Sequence, residues 1–182
     1  CRYSTIQNWA TNVYNLVTKR ALVEENGTME WIDGNIGSKK TMKYPCCVLK
    51  GDNSKGTCIT ISVATTNQHQ DSGARMIHVG KNTESSIISK SIAKCGGKAD
   101  FRGEIRIEKE ADNSSSIVKC DTLILDEKSS SDAFPIDTVK NKKSNIEHEA
   151  TVSKISEEKL FYLMSRGLSE EEAIDLVVLG FT

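Results

Sequence analysis

The clearest order in the chain is a period. Short polar clusters rich in Gly, Asn, Asp, Ser and Lys punctuate it at near-constant spacing. Markers at Ser38, Asn53, Asn67, Asn82, Gly97, Asn113, Lys128 and Lys143 recur about every 15 residues, as stacked repeats do. Between them lie short β-type runs at Cys58–Val63, Met76–Val79, Ser86–Ile88, Glu104–Ile107, Ile117–Cys120 and Leu123–Leu125. Several alternate apolar with polar, which sets one row of side chains on each face of a strand. A β-sandwich also produces regular strands and turns, but its loops vary more in length. Spacing without drift favours a mainly β solenoid, in which each coil buries its inner face against the coils above and below. Two segments per coil make a rung of about 30 residues.

The pattern changes after residue 155, so we expect a β-helix core over 1–155 and a helical segment over 156–182. Ser156 suits the N-cap of a helix whose apolar residues are Leu160, Phe161, Leu163 and Met164, and Gly167 stops it. Ser169 with Glu172 three residues on is a capping box. Acidic residues at 170–172 favour the positive end of that helix. Ala173, Ile174, Val177 and Val178 form its apolar side. The pair reads as a hairpin that either caps the solenoid or docks a partner.

Composition narrows the function classes. The 182 residues carry a net charge of −1 and 37% hydrophobic residues, with a pI of about 6.4 and a mean hydropathy of −0.39. This lacks the basic footprint of a nucleic-acid binder. No apolar run approaches the roughly 20 residues of a membrane-spanning helix. The chain opens on Cys1-Arg2-Tyr3-Ser4 rather than Met, which reads as a processed or truncated chain. The six cysteines (Cys1, Cys46, Cys47, Cys58, Cys95 and Cys120) contain no CxxC pair. Free thiols in a reducing compartment are expected.

Candidate chemistry is sparse. Glu147-His148-Glu149-Ala150 lacks the second histidine of a zincin, since position 152 is Val. Cys120 reads most simply as a buried core thiol. The period adds a second reading: the separation of Cys120 and Glu149 is close to one rung, so they are expected to stack on adjacent coils with His148 beside them. Thiolate, carboxylate and imidazole together suit iron or zinc. A slip of one residue would turn a side chain to the other face. Gln68–Gly73 reads as a turn that satisfies its own backbone, with a ligand loop as the alternative. Gly34–Lys40 fails the phosphate-loop spacing. No catalytic Ser–His–Asp or Cys–His constellation can be read, and no matched carboxylate pair supports a sugar-acting solenoid enzyme.

Several strings then carry a resemblance. They are Tyr3–Trp9, Val17–Leu22, Met42–Pro45, Gln70–His78, Gly80–Thr83 with Ile87–Ile92, Cys120–Ile124, and Glu147–Ile155 running into Phe161-Tyr162 and Arg166–Leu168. In order and over nearly the whole chain, they resemble the SufB/SufD family of iron–sulfur cluster assembly scaffolds, SufB more than SufD. The resemblance implies a right-handed parallel β-helix with a helical C-terminal region. It implies a scaffold rather than an enzyme, on which iron and persulfide-derived sulfide form a transient cluster for acceptor proteins. The implied partners are a SufC-type ATPase, a SufD-type homologue, and a cysteine desulfurase with its sulfur carrier (SufS with SufE or SufU). A reduced flavin (FADH2) is associated with such complexes, and the setting is bacterial cytoplasm or plastid stroma.

By the same resemblance the cluster-site residues fall on Cys120, His148 and Glu149. The ATPase-docking residues fall on the hairpin at Leu160, Phe161, Met164, Ile174 and Val177. Many bacterial members have a sulfur-receiving Cys where this chain has Val23, so sulfur either goes directly to Cys120 or enters by another thiol, with Cys46 and Cys47, then Cys58 and Cys95, as candidates. The purely structural solenoid, with every cysteine a core residue, is the remaining alternative.

Overall fold

The computed structural model describes residues 1–182. The chain winds as a parallel β-helix of about five coils, followed by two helices. Its strands are β1 (Arg2–Trp9), β2 (Tyr14–Val17), β3 (Arg20–Val23), β4 (Thr28–Gly37), β5 (Lys40–Lys43), β6 (Cys46–Leu49) and β7 (Lys55–Ala64). They continue with β8 (His69–His78), β9 (Glu84–Ala93), β10 (Lys98–Ile107), β11 (Ser115–Ile124), β12 (Ala133–Val139) and β13 (Asn145–Lys154). The first sheet runs β1-β4-β7-β9-β11-β13. The second runs β2-β5-β8-β10-β12, with β3 and β6 extending it where the early strands break in two. Every pairing is parallel. Each coil therefore takes one stretch of strand from each sheet, and consecutive coils stack about 4.8 Å apart.

The polar markers are turn residues. Asn26, Ser38, Asn53, Asn67, Asn82, Cys95 and Asn113 all have left-handed φ, between 54° and 60°. Asparagine tolerates this region because its short amide bonds locally. On one edge the amides stack: Asn53 Nδ2 donates to Asn26 Oδ1 (3.3 Å), Asn82 to Asn53 (3.4 Å) and Asn113 to Asn82 (3.5 Å). The period in the sequence is the repeat of this turn.

Alternation within each strand fills the interior. The main core joins Trp31, Cys58, Ile87 and Val118 of the first sheet to Cys47, Leu49, Met76, Phe101, Ile105 and Ile107 of the second. Full burial of a side chain such as Ile105 stabilises by about 1.5–3 kcal/mol. Farther along the first sheet the inner ladder turns polar: Thr5, Asp33, Thr60, Ser89 and Cys120 are successive partners. Asp33 is 2% exposed. Burial would raise its pKa, but Lys19 at 2.9 Å, Lys43 at 2.8 Å and the Thr5 hydroxyl outweigh that and hold the carboxyl below its usual range.

The segment Gln68–Gly73, read from the sequence as a turn, is mostly strand: His69 opens β8. Gln70 and Ser72 face the polar part of the interior, so their polarity masked the strand. The runs Ile117–Cys120 and Leu123–Leu125 likewise fuse into β11, except for Leu125.

Two helices follow, α1 (Glu157–Ser165) and α2 (Glu170–Phe181). The Ser156 side chain accepts from the Lys159 N–H, and the Ser169–Glu172 capping box is complete. α1 buries no residue and α2 buries only Ala173. The Lys90 ammonium ties the end of α2 to the solenoid through the Phe181 carbonyl and lies 5.3 Å from the Phe181 ring centroid.

Candidate functional site

The terminal coil, β12 with β13, is where the sequence-derived candidates meet. Val118 and Cys120 of β11 face inward and are buried. The register sets Cys120 opposite Ala150, Val118 opposite His148, and Lys119 opposite Glu149. His148 therefore shares the inner face with Cys120, one coil on and two residues earlier. Coil spacing and strand rise put their Cα atoms roughly 8 Å apart. The expected stacking of Glu149 on Cys120 misses by one residue. Glu149 lies on the adjacent coil but on the exposed outer face, beside Lys119. The arrangement brings together Cys120 and His148 and leaves Glu149 on the other side of the strand.

Two apolar ladders end at this coil in polar residues. One runs Trp31, Cys58, Ile87, Val118, His148. The other runs Cys47, Met76, Ile105, Asp137. Asp137 and His148 meet across the interior, with His148 Nδ1 3.0 Å from Asp137 Oδ2. The other ring nitrogen, Nε2, is buried and has no hydrogen-bond partner. Sequence reasoning missed Asp137. Its signal was parity, since an inward Asp in a short strand is exceptional, but that can be read only once the register is fixed.

All six cysteines are free thiols. Cys120 is 2% exposed. Burial first, then the Asp121 charge, push its pKa up to about 12, against the pull of the Thr122 hydroxyl. At neutral pH it is a protonated thiol that a metal must deprotonate to bind. Cys46 and Cys47 alternate faces. Cys47 points inward, accepts from Trp31 Nε1 at 3.2 Å, and is raised by burial to about 11. Cys46 aligns with Arg75 on the outer row, is 7% exposed, and is also raised by burial. Val23 is buried on the inner face of β3.

A second group of ligand-type atoms lies on the outer row of the second sheet, where His69, Asp71 and Asp100 place theirs within 4.8 Å of one another. It is already neutralised. His69 Nε2 sits 2.8 Å and Lys98 Nζ 3.3 Å from Asp100, and Arg102 Nε donates to Asp71 at 3.0 Å.

Of the hairpin residues, Phe161 is 75% and Met164 43% exposed, while Leu160, Ile174 and Val177 are half-buried. Ile174 faces a cleft beside Lys94, Leu125 and Asp126, and Val177 one beside Leu123 and Ile155. The hairpin thus rests on the solenoid with one apolar side while α1 leaves another uncovered.

A parallel β-helix with free thiols in its interior and a helical hairpin at one end is the class of protein these features define. The chain matches the family described as "SUF system FeS cluster assembly, SufBD core domain" over residues 1–181. It is 60% identical over 181 residues to the iron-sulfur cluster assembly protein SufB of Bacillus subtilis, covering 100% of this chain and 39% of the relative. It is 59% identical over 180 residues to SufBD family proteins of Staphylococcus epidermidis and Staphylococcus aureus, covering 99% of this chain and 39% of each. The chain belongs to the SufBD family of iron–sulfur cluster assembly proteins. It spans about two-fifths of the length of these relatives. No helix is long and apolar enough to cross a membrane.

Proposed function

We propose that this chain is the β-helix part of a SufB-type scaffold subunit without turnover of its own, which gathers iron and persulfide-derived sulfide into a nascent cluster and yields it to acceptor proteins. The observation that carries this reading is the inward pairing of a buried thiol, Cys120, with an imidazole, His148, on the last two coils of a SufBD-family β-helix. Iron favours thiolate and imidazole ligands. Burial keeps the Cys120 thiol protonated until iron displaces the proton, so the thiol stays quiet before loading. Glu149, exposed one residue from His148, is the carboxylate through which iron reaches the site from outside. The remaining iron positions are filled by a SufD-type homologue.

Sulfur arrives from a cysteine desulfurase through its carrier (SufS with SufE or SufU). The sulfane sulfur passes from the donor persulfide to a thiol of this chain, whose proton leaves with the donor as its free thiol. Cys120 is the end point, and Cys46 and Cys47 are the earlier receivers, because Val23 offers no thiol. A SufC-type ATPase docks on the hairpin through Leu160, Phe161, Met164, Ile174 and Val177. FADH2 binds the assembled complex and supplies the two electrons that reduce the sulfane sulfur to sulfide, leaving FAD, and the setting is bacterial cytoplasm or plastid stroma. Anaerobic assembly with iron and sulfide in the complete complex tests the reading. Cys120→Ala is expected to lose most bound iron and sulfide, and undiminished assembly overturns the site.

A further inference from the structure

Asp137 and His148 end two ladders that are apolar up to the last coil. At the same ladder positions the preceding coils carry Cys47, Met76 and Ile105 on one side and Cys58, Ile87 and Val118 on the other, every one of them buried. A carboxylate and an imidazole facing each other cost more desolvation than the Ile–Val pairing one coil back. They meet by one specific bond, Nδ1 to Oδ2 at 3.0 Å. A carboxylate can only accept, so Nδ1 is the nitrogen that carries the proton. In the neutral ring the lone pair is then left on Nε2, which is buried and unpartnered. The Asp137 side chain is 32% exposed and that of His148 11%, so the bond screens the ring without sealing it off.

We infer that Asp137 is a positioning residue that fixes the tautomer and orientation of His148, so that Nε2 presents its lone pair to iron on the inner face beside Cys120. The inference rests on His148 being an iron ligand. Carboxylate–histidine–metal relays of this kind hold the ring and raise its basicity, and removing the outer carboxylate costs about 10- to 100-fold in metal affinity. β12 is an edge strand, and its backbone pairing with β10 does not use the Asp137 side chain.

Two readouts on the full chain test this. The first is the nitrogen-15 shifts of the His148 ring in the metal-free protein. The proton is expected on Nδ1 in the wild type and on Nε2 in Asp137→Ala, with Asp137→Glu restoring the wild-type pattern. Identical shifts in wild type and Asp137→Ala overturn the positioning role. The second is anaerobic binding of Co2+ alone, followed by its thiolate charge-transfer absorption. Asp137→Ala is expected to weaken it about 10- to 100-fold, with Asp137→Glu recovering most of the loss. Unchanged affinity in Asp137→Ala alongside a loss in His148→Ala overturns the inference and leaves the ligand assignment standing. Unchanged affinity in His148→Ala overturns the ligand assignment and the metal half of the inference with it, and the ring shifts still report whether Asp137 sets the tautomer.

Discussion

His78 lies wholly inside the solenoid, at 0% exposure, in an inner ladder between Leu49 and Ile107. Its Nδ1 is 2.7 Å from the Thr83 hydroxyl and its Nε2 2.8 Å from that of Ser85. Those hydroxyls bond in turn to Ser114 and Ser116, so the ring has a neutral hydroxyl on each nitrogen and no counter-ion. Burial therefore pushes its pKa down from 6.5 to about 4, opposed by a hydrogen bond to the Thr83 backbone. The unfolded chain binds the proton more readily, so this residue's contribution is fully present above pH 6.5 and is lost as pH falls through the folded value near 4. At 1.36 kcal/mol per pH unit the whole effect is about 3 kcal/mol. Between pH 7.5 and 4.5 about 2.5 kcal/mol of it disappears, a drop of about 5–10 °C in melting temperature for a chain of this size.

Acid also protonates carboxylates such as Asp33 and Asp112, whose pKa values are held down by their partners. The assay is therefore a difference. Urea unfolding is measured at both pH values for the wild type and for His78→Gln, which keeps polar atoms but does not titrate. The wild type should lose about 2.5 kcal/mol more than the variant over this interval. Parallel losses would refute the claim that a neutral buried imidazole links folding to acid.

Gly73 lies in β8 against the backbone of β10, and a Cβ there would overlap the Arg102 carbonyl group. Gly73→Ala should cost about 3 kcal/mol or more, seen as a lower urea midpoint, and a wild-type midpoint would contradict this packing. Deleting residues 156–182 should abolish capture of a SufC-type ATPase while the β-helix retains its circular dichroism, and undiminished capture would remove the hairpin as the docking element.

Much of the fold was legible because a solenoid repeats its chemistry. A left-handed turn needs the same residue types each time, so Asn53, Asn67, Asn82 and Asn113 mark the turns in the sequence itself. The capping box of α2 was legible for a similar reason, since Ser169 and Glu172 satisfy each other locally. The site was less legible. Predicting that Cys120 and Glu149 share a face required an exact register, and coil lengths vary: the coil from Ser115 to its partner Asn145 is one residue longer than the coil from Lys55 to its partner Glu84. That one residue moves Glu149 to the outer face. Strand β8 hid because the interior is polar at Gln70 and Ser72, so alternation of apolar with polar residues no longer marks inside from outside. The early strands also reach the surface at residues such as Ile6, 83% exposed, which reverses the usual pattern.

The central claim is that Cys120 and His148, together on the inner face of the last coils, hold the forming cluster. Pulsed electron paramagnetic resonance on the reduced, reconstituted complex addresses it most directly, using protein labelled with nitrogen-15 histidine. A histidine nitrogen coupling to the cluster is expected in the wild type and should disappear in His148→Ala. A coupling that persists unchanged in His148→Ala, or none in the wild type, would contradict it.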